Sequence, residues 1–97
     1  MYTITLDGKE YILRCDLNVV EKIEEKYGTI TSLMEKQGNI ACTKFLAAEM
    51  INEHFYYSNV PDRVTEGFVG ARLSAIDLEQ TVSAVLSCLM DCVCKKK

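Results

Sequence analysis

The sequence lacks a surplus of basic charge, contains a single histidine and has no long apolar run. Lysine and arginine number 11 against 14 acidic residues, so the net charge of −3 has the wrong sign for a surface that neutralises a row of phosphates. The apolar runs fall far short of the roughly 20 residues that cross a bilayer. These absences argue against both nucleic acid and membrane as partners.

An export signal is also missing from the first residues, MYTITLDGKEY, which carry neither a basic segment nor a long apolar stretch. We therefore expect a cytoplasmic protein. In a reducing compartment an odd number of cysteines favours free thiols that pack as small hydrophobic side chains. The five cysteines are Cys15, Cys42, Cys88, Cys92 and Cys94.

Motifs that carry catalytic chemistry are scarce. Gly67 and Gly70 do not stand in the GxGxxG or GxxxxGK[ST] context of a phosphate-binding loop. The lone His54 precedes three aromatic residues near the end of a predicted helix, where a partly packed imidazole is more plausible than a general base. We predict no catalytic residue, no cofactor and no enzymatic activity.

A metal site built from Cys88, Cys92 and Cys94, with His54 as a fourth ligand, is the alternative to ordinary packing of these side chains. Structural zinc sites generally use two pairs of thiolates, each pair on a turn. Cys88 and Cys92 instead lie one helical turn apart in an apolar stripe. We therefore expect packed thiols and no metal.

The first residues predict a β-hairpin, because Tyr2, Ile4 and Leu6 alternate with polar residues. Asp7-Gly8 suits a two-residue turn, in which both central positions need positive φ. The strands are expected over residues 2–6 and 9–14, with Leu6 opposite Lys9, Ile4 opposite Tyr11 and Tyr2 opposite Leu13. A lone hairpin is barely stable in water, so its apolar face must pack on helices.

Apolar periodicity and capping residues predict four or five helices after the hairpin. Their expected ranges are about 17–27, 30–37, 40–57, 65–72 and 75–94. Asp16, Thr29 or Thr31, Asn39 and Thr65 are the expected N-caps, and Ser74 with Asp77 resembles a capping box. The apolar stripe of the first helix is placed at Leu17, Val20, Ile23 and Tyr27. Residues 1–97 thus form one α+β domain, an antiparallel hairpin packed on helices, with one core.

Two segments, LDGKEYILR and DLNVVEKIEEKYG, resemble the tail assembly chaperones of long-tailed, siphovirus- or myovirus-like phages and prophages of Gram-positive bacteria. Those small proteins have an LDGKEY-like hairpin, a helix ending in an acidic pair and an aromatic-Gly, and a largely helical remainder. LSAIDLEQTVSAVLSCL fits their last helix more loosely. The resemblance is closest over the first thirty or so residues. In the middle of the chain it extends only to the general arrangement of the elements.

The resemblance implies a function in binding. A tail assembly chaperone binds the long helical tape measure protein, keeps it soluble and helps to recruit tail tube subunits, and binding in many copies is compatible with a homo-oligomer. Members of this kind are often also made in a longer, frameshifted form. The codons of Lys95–Lys97 could supply an adenine-rich slippery sequence, although a basic tail after a helix is also favourable electrostatically.

An aromatic cluster near Pro61 is the candidate partner-binding site. Its members are Phe55, Tyr56, Tyr57, Val60 and Phe68. Two interpretations stay open, because these side chains could equally close one end of the core. A different function is also open: a small cytoplasmic adaptor or regulator that binds its partner through the edge of the hairpin.

Overall fold

A computed structural model describes residues 1–36 and 39–93, and in this part of the chain it has a two-stranded antiparallel hairpin followed by five helices. The elements are β1 (Tyr2–Leu6), β2 (Lys9–Leu13), α1 (Leu17–Tyr27), α2 (Ile30–Met34), α3 (Ile40–Tyr57), α4 (Glu66–Arg72) and α5 (Leu78–Val93). The α+β class is therefore confirmed. None of these helices combines the length and the apolar character needed to span a membrane.

The hairpin has the predicted register, with Leu6 opposite Lys9 and Tyr2 opposite Leu13. Asp7 and Gly8 both have positive φ, 54° and 81°, as a tight two-residue turn requires. β2 ends at Leu13 and not at residue 14 as predicted. The N–H of the next residue, Arg14, donates to the carbonyl of Met50 in α3 at 3.1 Å, so the chain leaves the sheet there.

The helix α3 is the centre of the fold. It contacts β2, α1, α4 and α5, and β1 packs on α5. Its buried residues cover most of its circumference, as expected for a helix enclosed by other elements. They are Cys42, Thr43, Phe45, Leu46, Ala47, Ala48, Met50 and Ile51. From the hairpin, Ile4, Leu6 and Leu13 complete this core.

Side-chain caps begin the first four helices as predicted, with Thr29 and not Thr31 as the second of them. A side-chain oxygen of each cap accepts a backbone N–H of the first turn, which satisfies a donor that has no partner inside the helix. The caps are Asp16, Thr29, Asn39 and Thr65. Gly28, with φ of 90°, ends α1 where expected.

The predicted apolar stripe of α1 is wrong at its first position. Leu17 is 80% exposed, whereas Val19 and Ile23 are the buried residues of the helix. Val19 and Ile23 are four residues apart and share a face, while Leu17 points about 160° away from Val19, because two residues rotate the helix by about 200°. The buried face of α1 therefore contains Val19 and Ile23 and does not include Leu17.

Other helix boundaries also differ from the prediction: α4 begins at Glu66 and not at residue 65, because Thr65 is its N-cap. The Ser74–Asp77 hydrogen bonds form, with the Asp77 N–H donating to Ser74 Oγ at 3.2 Å, but they close a turn that precedes the helix. The hydrogen bond over four residues that opens the helix runs from the Thr81 N–H to the Asp77 carbonyl at 2.9 Å. The helix α5 therefore starts at Leu78 and not at residue 75.

The second helix ends at Met34, short of the predicted residue 37. The N–H of Lys36 donates to the Leu33 carbonyl at 2.8 Å. This bond spans three residues and not four, so a tighter turn of the 3₁₀ type ends the helix. The predicted end of the second helix at residue 37, the predicted end of the last helix at residue 94 and the lysines 95–97 lie outside the described residues.

Alanine at Gly8 and at Gly67 should change stability in opposite directions. Gly8 has φ of 81° and open space where a methyl group would stand, so Gly8→Ala costs only backbone strain, about 1 kcal/mol. Gly67 is helical and has similarly ample space, so Gly67→Ala should stabilise by about 0.5 kcal/mol. Chemical denaturation measures the free energy of unfolding of both variants. A change of the same sign in both would contradict the turn geometry.

Candidate partner-binding surface

The last turn of α3 ends in a Schellman motif that folds the following loop back on the helix. The Val60 N–H donates to the Phe55 carbonyl at 2.8 Å, and the Asn59 N–H donates to the Tyr56 carbonyl at 3.2 Å. Asn59 takes the left-handed conformation, with φ of 61°, that this motif requires. As a result Val60 returns beside Phe55, and the chain changes direction before Pro61.

A pair of hydrogen bonds fixes the other end of this loop. The side chain of Asn52, in α3, donates from Nδ2 to the Val64 carbonyl at 2.9 Å and accepts the Val64 N–H on Oδ1 at 2.7 Å. Val64 itself is buried. Within the loop, Arg63 Nη1 donates to the Val60 and Asp62 carbonyls at 3.1 and 2.6 Å. The loop is thus held on α3 at both ends.

Three of the five predicted site residues come together on the outside of this loop. Tyr56 and Tyr57 are each 64% exposed, and Val60 is half-buried beside them. Together with Asn59, Pro61 and Arg63 they line one depression. We refer to Tyr56, Tyr57, Val60 and Pro61 as the Pro61 surface.

The two phenylalanines of the predicted cluster do not lie on this surface. Phe55 is half-buried and packs against the core. Phe68, in α4, packs edge-to-face on Tyr11 of β2, with 6.2 Å between ring centroids, and the Arg72 guanidinium lies 3.9 Å from its ring centroid. The two interpretations of the cluster therefore apply to different members: the phenylalanines close the core, and the tyrosines face outward.

The ring of Tyr57 is held by a cation–π contact that the sequence did not reveal. The guanidinium of Arg14 lies 3.7 Å from its ring centroid, and Arg14 Nε donates to Asp16 Oδ2 at 3.1 Å. Such a contact contributes roughly 0.5–1 kcal/mol at an exposed site. The segment between β2 and α1 thus orients Tyr57 without burying it.

Polar residues border the surface on the α1 side of Tyr56. Glu53 accepts a hydrogen bond from Asn18 Nδ2 at 3.0 Å. Burial, and secondly a hydrogen-bond contact with Asp16, raise the pKa of Glu53, while burial raises the pKa of Glu49. An apolar patch with a polar rim is typical of sites where proteins bind other proteins.

A cleft on the other side of Tyr57 contains three of the four residues considered as metal ligands. His54, Cys88 and Cys92 line it, joined by Cys15. Across residues 1–36 and 39–93, no group of three or more His, Cys, Asp or Glu side chains is arranged to hold a metal ion. Cys94, the remaining candidate ligand, is outside the described residues.

Sequence reasoning missed Asn52, Arg14 and Arg63 as residues that shape the site. Asn52 gave a weak signal, because asparagine is unfavourable inside a helix and often marks a side chain that hydrogen-bonds to backbone elsewhere. Arg14 gave no signal, since its partner Tyr57 is remote in the chain.

Comparison with known proteins adds no relative: no protein-family model, no curated protein and no solved structure matches this chain.

Removing the Asn52 side chain should loosen the loop that carries the Pro61 surface. Asn52→Ala leaves the Val64 N–H and carbonyl without their partners, and we expect a loss of about 2 kcal/mol in the free energy of unfolding. Asn18→Ala is the matched control, because it removes a hydrogen bond between exposed side chains and should cost less than about 0.5 kcal/mol. Urea denaturation distinguishes the two, and similar losses would argue against the anchoring role.

Proposed function

We propose that this chain is a tail assembly chaperone of a long-tailed phage or prophage. It binds the tape measure protein, keeps that protein soluble and helps to recruit tail tube subunits, without catalysing a reaction. The proposal combines the resemblance of the hairpin and first helix with the character of the Pro61 surface.

The exposure of Tyr56 and Tyr57 is the observation that carries the proposal. The chain has five tyrosines and three phenylalanines, all in the described part, and the other six are half-buried or buried. Those six are Tyr2, Tyr11, Tyr27, Phe45, Phe55 and Phe68. Adjacent exposed tyrosines cost little conformational entropy when they are covered, and each offers apolar area with a polar tip. Such a pair suits contact with the apolar face of a partner helix.

The layout of the elements also supports the proposal. LDGKEYILR contains the turn and the whole second strand, and the segment from Asp16 to Gly28 forms a capped helix of 11 residues. The resemblance implies these elements in this order. A long tape measure helix would need many small binders along its length, and a compact hairpin-and-helix domain is suited to such repeated binding.

An adaptor that binds through the hairpin is the second candidate. The sheet has two strands, so each strand pairs on one side only and presents its other edge. An unpaired edge can accept a strand from a partner. This candidate predicts that the Pro61 surface is not needed for binding.

Co-expression with the long helical protein encoded downstream tests the proposal. We expect that protein to be recovered in the soluble fraction only when this chain is present. Tyr56→Ser/Tyr57→Ser should weaken binding at least about tenfold, or about 1.4 kcal/mol, and so lower the recovery of that protein.

The matched control is Leu17→Ser/Ile76→Ser, which changes two apolar residues that are 80% and 91% exposed elsewhere on the surface. Recovery should be unchanged with this control. Circular dichroism and thermal unfolding of both double variants establish that they fold. Recovery that does not depend on this chain, or that falls equally with the control, would count against the proposal.

A further inference from the structure

Three cysteines meet in the cleft beside Tyr57, although they are distant in the chain. Cys15 follows β2, and Cys88 and Cys92 lie four residues apart on one face of α5. Burial first, and then the neighbouring Cys92 thiol, raise the pKa of the Cys15 thiol. The cleft thus brings Cys15 and Cys92 together from opposite ends of the chain.

Neighbouring contacts hold both partners in place. The Arg14 N–H is bonded to the Met50 carbonyl at 3.1 Å, which fixes the backbone next to Cys15 on α3. The hydroxyl of Tyr2 donates to Asp91, which ties β1 to the turn of α5 that carries Cys92. Both cysteines therefore lie on segments that are hydrogen-bonded to other parts of the fold.

We propose that Cys15 and Cys92 are a redox-responsive pair that forms an intramolecular disulfide in exchange with a low-molecular-weight disulfide. Cys92 is half-buried, whereas Cys88 is only 6% exposed, so Cys92 is the thiol that a solute reaches first.

The reaction proceeds by two exchanges. The Cys92 thiolate attacks one sulfur of the small disulfide, which forms a mixed disulfide and releases one small thiolate. The Cys15 thiolate then attacks the Cys92 sulfur, which forms the Cys15–Cys92 bond and releases the second small thiolate. The two protons lost by the cysteines end on the two small thiols, so two protein thiols are oxidised and one small disulfide is reduced.

Burial makes the second exchange, the attack by Cys15, slow near neutral pH. It raises the pKa of the Cys15 thiol, and the neighbouring Cys92 thiol adds to the effect. Since the thiolate is the attacking species, ring closure should become faster as the pH rises through the alkaline range. Under reducing conditions the thiols remain free, as the sequence predicts.

The disulfide would join the end of the hairpin to the last turn of α5 and close most of the chain into one loop. A bond across so long a loop restricts the unfolded chain strongly. We expect the oxidised protein to have a melting temperature higher than the reduced protein by on the order of 10 °C.

Treatment of the full chain with oxidised glutathione, followed by alkylation of free thiols and peptide mass spectrometry, tests the pair. We expect a monomer lighter by two hydrogen atoms, with a bond between Cys15 and Cys92, formed faster at higher pH. Cys92→Ser and Cys15→Ala should each abolish the internal bond, while Cys42→Ser and Cys94→Ser should retain it.

Three results would overturn the assignment. The first is glutathione left attached to Cys92 with no internal bond formed. The second is a bond that persists in Cys92→Ser, which alters a half-buried position and should fold even where Cys15→Ala does not. The third is a disulfide between two chains. An oxidised protein with an unchanged melting temperature would contradict the expected closure of the long loop.

Discussion

The burial of α3 is the constraint on which the rest of the structure depends. Its apolar residues are enclosed on most sides by the hairpin and by α1, α4 and α5, and the loop after it is pinned back by Asn52. Its last turn reaches the surface, so two tyrosines that continue the helix emerge beside Pro61. The exposed aromatic pair is thus a consequence of where the core ends, and it is held there by the Schellman motif.

Local patterns in the sequence predict most of the strands and helices, because the interactions that decide where these elements begin and end are local. The Asp7-Gly8 turn and the alternation around it determine the hairpin register, and side-chain caps determine where helices begin. The start of α5 was missed because the Ser74–Asp77 bonds can close a turn as well as a helix. Leu17 was misplaced because periodicity gives the spacing of an apolar face but not which neighbour covers it.

The candidate site was predictable only as a region. Sequence places Phe55, Tyr56 and Tyr57 together, but their different exposures depend on tertiary packing that no local pattern encodes. Phe68 is drawn to Tyr11 in the hairpin, and Arg14 is drawn to Tyr57, across long stretches of chain. The cleft that Cys15 and Cys92 share likewise joins residues that are remote in the chain. Since Arg14 and Tyr57 also line the cysteine cleft, the Pro61 surface and the thiol pair are physical neighbours.

Hydrogen–deuterium exchange of this chain, alone and with the co-expressed tape measure candidate, tests the central claim most directly. If the last turn of α3 and its loop bind the partner, backbone amides over residues 55–61 should gain protection in the complex, while those of the hairpin should not. Protection confined to the strand edges, with residues 55–61 unchanged, would contradict the account.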